Sequence, residues 1–300
     1  MSLIVMGTVA LDSLRTPHGI KKDLLGGSAA HFSLAARHFT NVHLSAVIGS
    51  DFPQRHINFL EKKKINTESL LAKPGKTFRW SGEYLAYDLN TAVTLDTTLG
   101  VIVRHKPTVN IKQKKIENVF LANYDPDLQL EFLESLNKPK FVGMDTMNLW
   151  IDAKKGSVTE LMKKVDLVIV NDAEAREFTD EKNIIKCAKA LLKIGPKMVI
   201  IKKGEHGGIF YSKNHLFALP AYPIEEVIDP TGAGDTFAGG VMGFLAQAKK
   251  IDSKTLIKAL SYATILSSFN VQGFGMARTR DLTLAKVNQR LKVFKEFYNF

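Results

Sequence analysis

The sequence predicts an α/β fold: a doubly wound, mainly parallel sheet with helices on both faces, and a small β lid beside it. Three observations carry this. Short apolar runs alternate with amphipathic stretches along most of the chain. The runs are continuously apolar, as expected of strands buried on both faces of a sheet. One region, 77–103, breaks the rhythm with period-two alternation and reads as antiparallel strands outside the main sheet.

In chain order, Leu3-Ile4-Val5-Met6 reads as the first strand; it is too short for a membrane span, has no basic residue before it and is interrupted by Asp12. A glycine turn at Gly26-Gly27 opens a helix over 29–39, followed by a strand at 42–47 and a helix at 52–63. Within 77–103, Phe78, Trp80, Gly82, Tyr84 and Ala86 share one phase, and a polar turn falls around Asp88-Leu89-Asn90. Alternation alone leaves open which phase points inward. The main rhythm resumes with a strand at 119–121 and a helix at 127–136, then strands at 141–144, 167–170 and 198–201, with a helix at 172–178. Helical spacing over 231–249, 253–269 and 283–297 gives three successive helices, expected on one side of the sheet. With 300 residues and 45% hydrophobic content, the expectation is one α/β domain over 1–300, its lid around 77–103 with part of 8–25 as a candidate extension.

Charged residues at 24% and aromatics at 9% argue against disorder and fibrous repeats. The single cysteine, Cys187, lies in a helix-like stretch; it excludes an intrachain disulfide, argues against a cysteine-based zinc site and fits a reducing compartment. No apolar run approaches the ~18 residues of a membrane span, so a cytoplasmic protein with no membrane partner is expected. The formal charge of +11 is dispersed over Lys62-Lys63-Lys64, Lys112 with Lys114-Lys115, Lys154-Lys155, Lys163-Lys164 and Lys249-Lys250, with acidic residues between them. Such scatter reads as solvated faces with a general pull on polyphosphate, and no nucleic-acid partner is expected.

The chemistry concentrates in Asp229-Pro230-Thr231-Gly232-Ala233-Gly234-Asp235-Thr236-Phe237-Ala238-Gly239-Gly240. Apolar side chains recur at Phe237, Val241, Phe244, Leu245 and Ala248, which puts the glycines in the first turn of a helix. Free amides and the positive end of the helix dipole make that turn an anion hole. Asp235 lies in the same turn, where the dipole favours its ionised form, and a carboxylate beside a bound phosphoryl group can orient a hydroxyl and accept its proton.

This segment resembles the C-terminal signature of the ribokinase-like, or PfkB-type, sugar and nucleoside kinases, D-[PT]-T-[GA]-A-G-D-[TS]-F. The resemblance implies that Asp235 is the base, that the amides of Gly232, Ala233 and Gly234 hold the transferring phosphate, and that Asp229 and Thr231 lie where some members place a monovalent cation such as K+. Gly26-Gly27-Ser28, after a strand and Asp12, looks like the N-terminal signature, in which glycines approach a polyol and the aspartate bonds its hydroxyls. The family commonly has asparagine where this chain has His31, a departure on the substrate side. Val47-Ile48-Gly49-Ser50-Asp51 looks like the V-G-x-D segment.

Asn171-Asp172-Ala173-Glu174 resembles the N-x-x-E motif associated with Mg2+ and phosphate, while also reading as an ordinary capped helix start. Lys202-Lys203-Gly204-Glu205-His206-Gly207-Gly208 resembles the nucleotide-side loop, with Lys203, Gly204 and Gly207 as its candidates, and Ser267, Asn270 and Gly275 fall where the family flanks adenine. Arg79, Trp80, Tyr84 and Asn90 in the lid, with Asp145 and Asn148 at a strand end, complete the substrate-side candidates. The implied activity is ATP- and Mg2+-dependent phosphorylation of a small sugar or polyol, with a nucleoside as the alternative acceptor and a non-catalytic sensor as the alternative class. A homodimer through the lid is also implied.

Other readings fail on spacing. Gly75-Lys76-Thr77 has Leu70 where a P-loop needs glycine, Gly7 is followed by Thr8-Val9-Ala10-Leu11-Asp12 rather than a dinucleotide fingerprint, and no H-E-x-x-H occurs.

Overall fold

The strands read from the sequence assemble around β1 in a computed structural model that describes residues 1–298, so the last two positions of the expected domain lie outside it. In chain order the elements are β1 Ser2–Met6, β2 Ala10–Thr16, β3 Gly19–Gly26, α1 Ser28–Ala36, β4 Asn41–Gly49, α2 Gln54–Lys62, β5 Asn66–Lys73, β6 Arg79–Leu85 and β7 Asp88–Thr98. Then come β8 Asn118–Leu121, α3 Pro126–Glu134, β9 Phe141–Asp145, α4 Asn148–Met162, β10 Leu167–Asn171, α5 Asp172–Thr179, α6 Ile184–Ile194 and β11 Met198–Lys202. The chain finishes with β12 Gly208–Ser212, β13 Leu216–Leu219, α7 Ala233–Gln247, α8 Ser253–Asn270 and α9 Leu284–Tyr298.

Nine strands form the main sheet in the order β13-β12-β11-β10-β9-β8-β1-β4-β5. It is parallel from β5 to β11 and antiparallel at the β12–β13 edge. The continuous apolar runs have their expected cause. Leu3, Val5, Leu167 and Ile169 pack with α1, α7 and α8 on one face, while Ile4, Met6, Val168 and Val170 pack with α3 to α6 on the other. Each such side chain contributes about 1.5–3 kcal/mol when fully buried, so a charge at Val5 would break the sheet from its centre.

Helix α7 is held close to its neighbours by glycine. A Cβ at Gly239 would strike the Phe32 carbonyl, one at Gly243 would lie 2.7 Å from Ala36 Cα, and one at Gly240 would lie 2.7 Å from Ala263 Cα. This contact fixes the start of α7 against the start of α1, and so brings the two glycine signatures together. Of the three C-terminal helices, α7 and α8 face the sheet, whereas α9 packs on α8 through Val287, Leu291 and Phe294.

A second sheet, β3-β2-β6-β7, joins the N-terminal hairpin to the 79–98 hairpin through the parallel β2–β6 pair. The polar turn expected at Asp88-Leu89-Asn90 lies instead at Ala86-Tyr87, between the paired residues Leu85 and Asp88. Asp88 Oδ1 accepts from the amides of Asn90 and Thr91 at 2.9 and 3.2 Å, which shapes the first residues of the returning strand. Among the described residues no helix is long and apolar enough to cross a membrane.

Candidate active site

The site forms where the starts of α1 and α7 meet the carboxyl ends of β9, β10 and β11, the usual place for ligands in an open α/β sheet. Its floor is the loop before α7. Gly232 takes the left-handed conformation φ 73°, ψ 5°, which favours glycine. The Ala233 amide donates to the Pro230 carbonyl at 3.1 Å, and the Thr236 amide to the Gly232 carbonyl at 2.8 Å. The amides left without a backbone partner are those of Gly232, Gly234 and Asp235. That corrects the expected set, in which Ala233 stood in place of Asp235; the tight turn takes the Ala233 N–H for itself.

Helix α8 braces this loop. Asn270, fully buried, donates from Nδ2 to the Thr231 carbonyl at 2.7 Å and accepts from Thr236 Oγ1 at 3.1 Å. Ser267 Oγ donates to the Ala233 carbonyl at 2.9 Å. The buried Asp229 carboxylate accepts from the Thr231 amide at 2.9 Å and the Gly275 amide at 2.7 Å, tying two loops together. Ser267, Asn270 and Gly275, expected beside adenine, therefore act here on the loop backbone, and both Asp229 oxygens are committed to amides. Among the described residues no three His, Cys, Asp or Glu side chains gather as a metal site.

Five acids share the site. Burial pushes the Asp235 carboxyl above its ordinary range, opposed by the positive charge of Lys202; the dipole is thus not the only influence on it. Burial likewise carries Asp12 up to about 7, against the Gly27 amide that hydrogen-bonds it and with Asp229 and Asp235 adding repulsion. Asp145 is raised by burial and by Asp235, and its Oδ1 is buried without a partner. Burial raises Glu174 and Asp229 too.

The double glycine serves Asp12. A Cβ at Gly26 would overlap the Asp12 carboxylate, and one at Gly27, at φ 93°, would lie 2.5 Å from the Thr8 carbonyl. Ser28, expected at the substrate, is tied to the segments that follow β1 and β8: its amide donates to Thr8 Oγ1 at 3.0 Å, its hydroxyl accepts from the Thr8 amide at 3.2 Å, and Oγ donates to the Asn123 carbonyl at 3.3 Å. His31 lies under the anion hole, where a Cβ on Gly232 would overlap its ring. Burial pushes its imidazole down to about 4, partly offset by Asn270. The Asn270 amide already serves Thr231 and Thr236, and neither His31 nitrogen has a hydrogen-bond partner.

The lid contributes Tyr84, buried, whose hydroxyl accepts from Thr231 Oγ1 at 3.4 Å. Arg79 points elsewhere, pairing with Asp23 and, at 3.1 Å, with Asp51. Trp80 donates from Nε1 to Thr94 Oγ1 at 3.1 Å and lies over Gly82, and Asn148 is exposed at the start of α4. On the other side, Asn171 and Glu174 form a reciprocal cap: Glu174 Oε2 accepts from the Asn171 amide at 2.7 Å and Asn171 Oδ1 from the Glu174 amide at 2.8 Å. The N-x-x-E spacing thus serves the helix start, whatever else it does. The Lys203 amide closes the 204–207 loop on the Gly207 carbonyl at 2.7 Å, with Gly204 and Gly207 at φ 54° and 79°.

The residue missed in the sequence is Lys202. It ends β11 opposite Asn171, and its Nζ lies 2.7 Å from where a Cβ on Gly234 would sit. Its signal in the sequence is its place as the last residue of a parallel strand, which opens onto the ligand edge, one position before Lys203.

Residues 5–281 match the family model described as pfkB family carbohydrate kinase. The cytidine kinase of Thermococcus kodakarensis is 29% identical over 260 residues, 84% of this chain and 91% of that protein. Among solved structures, the nucleoside kinase of Methanocaldococcus jannaschii, an archaeal member of the ribokinase family, superposes with a TM-score of 0.78 at 21% identity, covering 98% of this chain and 99% of that one. A ribokinase-II-type protein from E. coli in complex with ATP and Mg2+ gives 0.79 at 17% identity, covering 97% and 99%. Likeness of this extent establishes the α/β fold with its main, mostly parallel sheet and small separate lid sheet.

Proposed function

The chain belongs to the pfkB family of carbohydrate kinases, and from that premise we propose that it is an ATP-dependent nucleoside kinase, moving the terminal phosphoryl group of ATP to a ribose hydroxyl. One observation carries the reading: the Asp235 carboxylate shares a helical turn with the unpaired amides of Gly232, Gly234 and Asp235. The amides and the dipole of α7 attract phosphoryl oxygens. Asp235 orients the acceptor hydroxyl and takes its proton, and its raised carboxyl is a stronger base than a solvated one. Asp12 anchors further hydroxyls of the acceptor, and Tyr84 covers them from the lid.

The residues suit Mg2+ in a secondary role. Asp145 Oδ1 is buried and unpaired beside Glu174, yet no full cage exists among the described residues, as for an ion held mainly by nucleotide phosphates and water. Bound there, Mg2+ would neutralise charge on the phosphates. A K+ site at Asp229 and Thr231 forms no part of the proposal, because both Asp229 oxygens already accept from amides.

The motifs alone favour a small sugar or polyol, whereas the relatives favour the alternative acceptor. One relative matched along most of the chain is named a cytidine kinase, and one of the two structural neighbours is named a nucleoside kinase, the other being of ribokinase-II type. The test is ADP release and product mass with ATP and Mg2+ against a panel of nucleosides and free sugars. Phosphorylated nucleoside is expected, with cytidine tried first. Faster turnover of a free sugar than of any nucleoside overturns the acceptor assignment; binding without turnover across the panel overturns the kinase.

A further inference from the structure

We propose that Lys202 is a further catalytic residue, whose ammonium binds the phosphoryl group beside the loop amides as that group passes to the acceptor. The inference rests on the kinase reading above. Its basis is position. Lys202 ends β11, and its Nζ lies 2.7 Å from the point where a Cβ on Gly234 would sit, over the first turn of α7. The ammonium makes no hydrogen bond and no ion pair within 4.0 Å among the described residues. Its charge nevertheless acts on Asp145, Glu174 and Asp235.

That arrangement is only partly compensated, because the carboxylates of Asp145, Glu174 and Asp235 act on the ammonium from beyond ion-pair distance. A cation over a helix N-terminus opposes the macrodipole, and a half-buried ammonium without a partner has lost part of its hydration. A phosphoryl group held jointly by the ammonium and the amides of Gly232, Gly234 and Asp235 resolves both conflicts. Lysine suits the task because it is a compact charge with three donors that can follow oxygens as they move. In the transfer, the acceptor oxygen forms a bond to the terminal phosphorus and the bond from that phosphorus to the bridging oxygen breaks. The electron pair leaves with ADP and the hydroxyl proton goes to Asp235. Lys202 stabilises charge on the three phosphoryl oxygens.

The rival account is that Lys202 only balances three buried acids. The two separate in the pH dependence of Lys202→Met and in rescue by Lys202→Arg. Phosphoryl binding by Lys202 predicts a fall in kcat of about 10²–10³-fold, typical for loss of one transition-state donor. The fall persists on the alkaline plateau, with the nucleoside Kd within about threefold of wild type, and Lys202→Arg recovers much of the rate. Charge balance alone predicts that raising the pH restores the Met variant, because Asp235 then ionises without help; that result, or a Met variant within about threefold of wild type, overturns the proposal. A wild-type protein that phosphorylates nothing in the panel overturns the functional reading itself, and Lys202 with it.

Discussion

Asn90 Nδ2, near the tip of the lid, donates to Glu205 Oε2 at 2.5 Å, joining the β6–β7 hairpin to the loop that carries Gly204 and Gly207. A Cβ on Gly204 would overlap the Asn90 amide, so glycine there is required by the lid as well as by its φ of 54°. The lid that reaches Thr231 through Tyr84 thus also touches the loop expected to hold nucleotide.

Asn90→Asp sets like charges face to face and should open this contact. The bond is solvent-exposed, so about 0.5–1 kcal/mol is at stake, roughly a two- to fivefold effect. The expected outcome is a higher ratio of ATP hydrolysis to transfer and a raised acceptor KM, with the melting temperature little changed. An unchanged ratio would show that the contact does not couple lid and loop.

Asp12 should make stability depend on pH. With its carboxyl at about 7 in the folded state against 3.8 ordinarily, the folded protein keeps a proton that the unfolded chain has lost. Stability therefore falls as pH rises from about 4 to about 7, by at most about 4 kcal/mol. His31, lowered to about 4, works the other way: between about 4 and 6.5 the unfolded chain holds the extra proton, and stability rises with pH. The two offset each other in the wild type. Asp12→Asn removes only the falling contribution, so its melting temperature should gain on wild type progressively from about pH 4 to about pH 7 and level off above that. A constant or shrinking difference would contradict the assignment.

Asn270→Ala leaves the Thr231 carbonyl and the Thr236 hydroxyl without their partner inside the protein. Each unsatisfied buried group costs about 1–3 kcal/mol. The expected result is a clear drop in melting temperature together with at least tenfold lower kcat, since the anion-hole backbone loses its brace, while nucleoside affinity changes little. A variant that loses only nucleotide affinity would instead return Asn270 to the adenine side.

What could be read from the chain is what local physics imposes. The apolar runs of β1, β8, β9, β10 and β11 had to be strands buried on both faces, and the glycines around Asp235 and beside Asp12 mark backbone that admits no Cβ. What escaped depends on tertiary direction. Lys202 and Lys203 differ by one strand position, which decides which side chain reaches α7. Asn270 and Ser267 share a helix face that meets the loop before α7. Helix α4 breaks helical geometry at Lys154, at φ −142° and ψ 39°, where Nζ bonds Asp125 and Asp127, so its sequence carries no continuous helical period. Arg79 and Tyr84 sit on opposite phases of β6, and only the packed lid shows that Tyr84 faces inward.

The central claim is that Asp235 takes the acceptor proton. The most direct test is the kcat of Asp235→Asn against wild type with saturating ATP and the best acceptor, alongside the wild-type pH profile. The account predicts a loss of about 10²–10⁴-fold with acceptor affinity retained. It also predicts a wild-type acid limb above the ordinary carboxylate range, because burial raises the carboxyl that must be ionised to act. An Asn variant that turns over within about tenfold of wild type would contradict it.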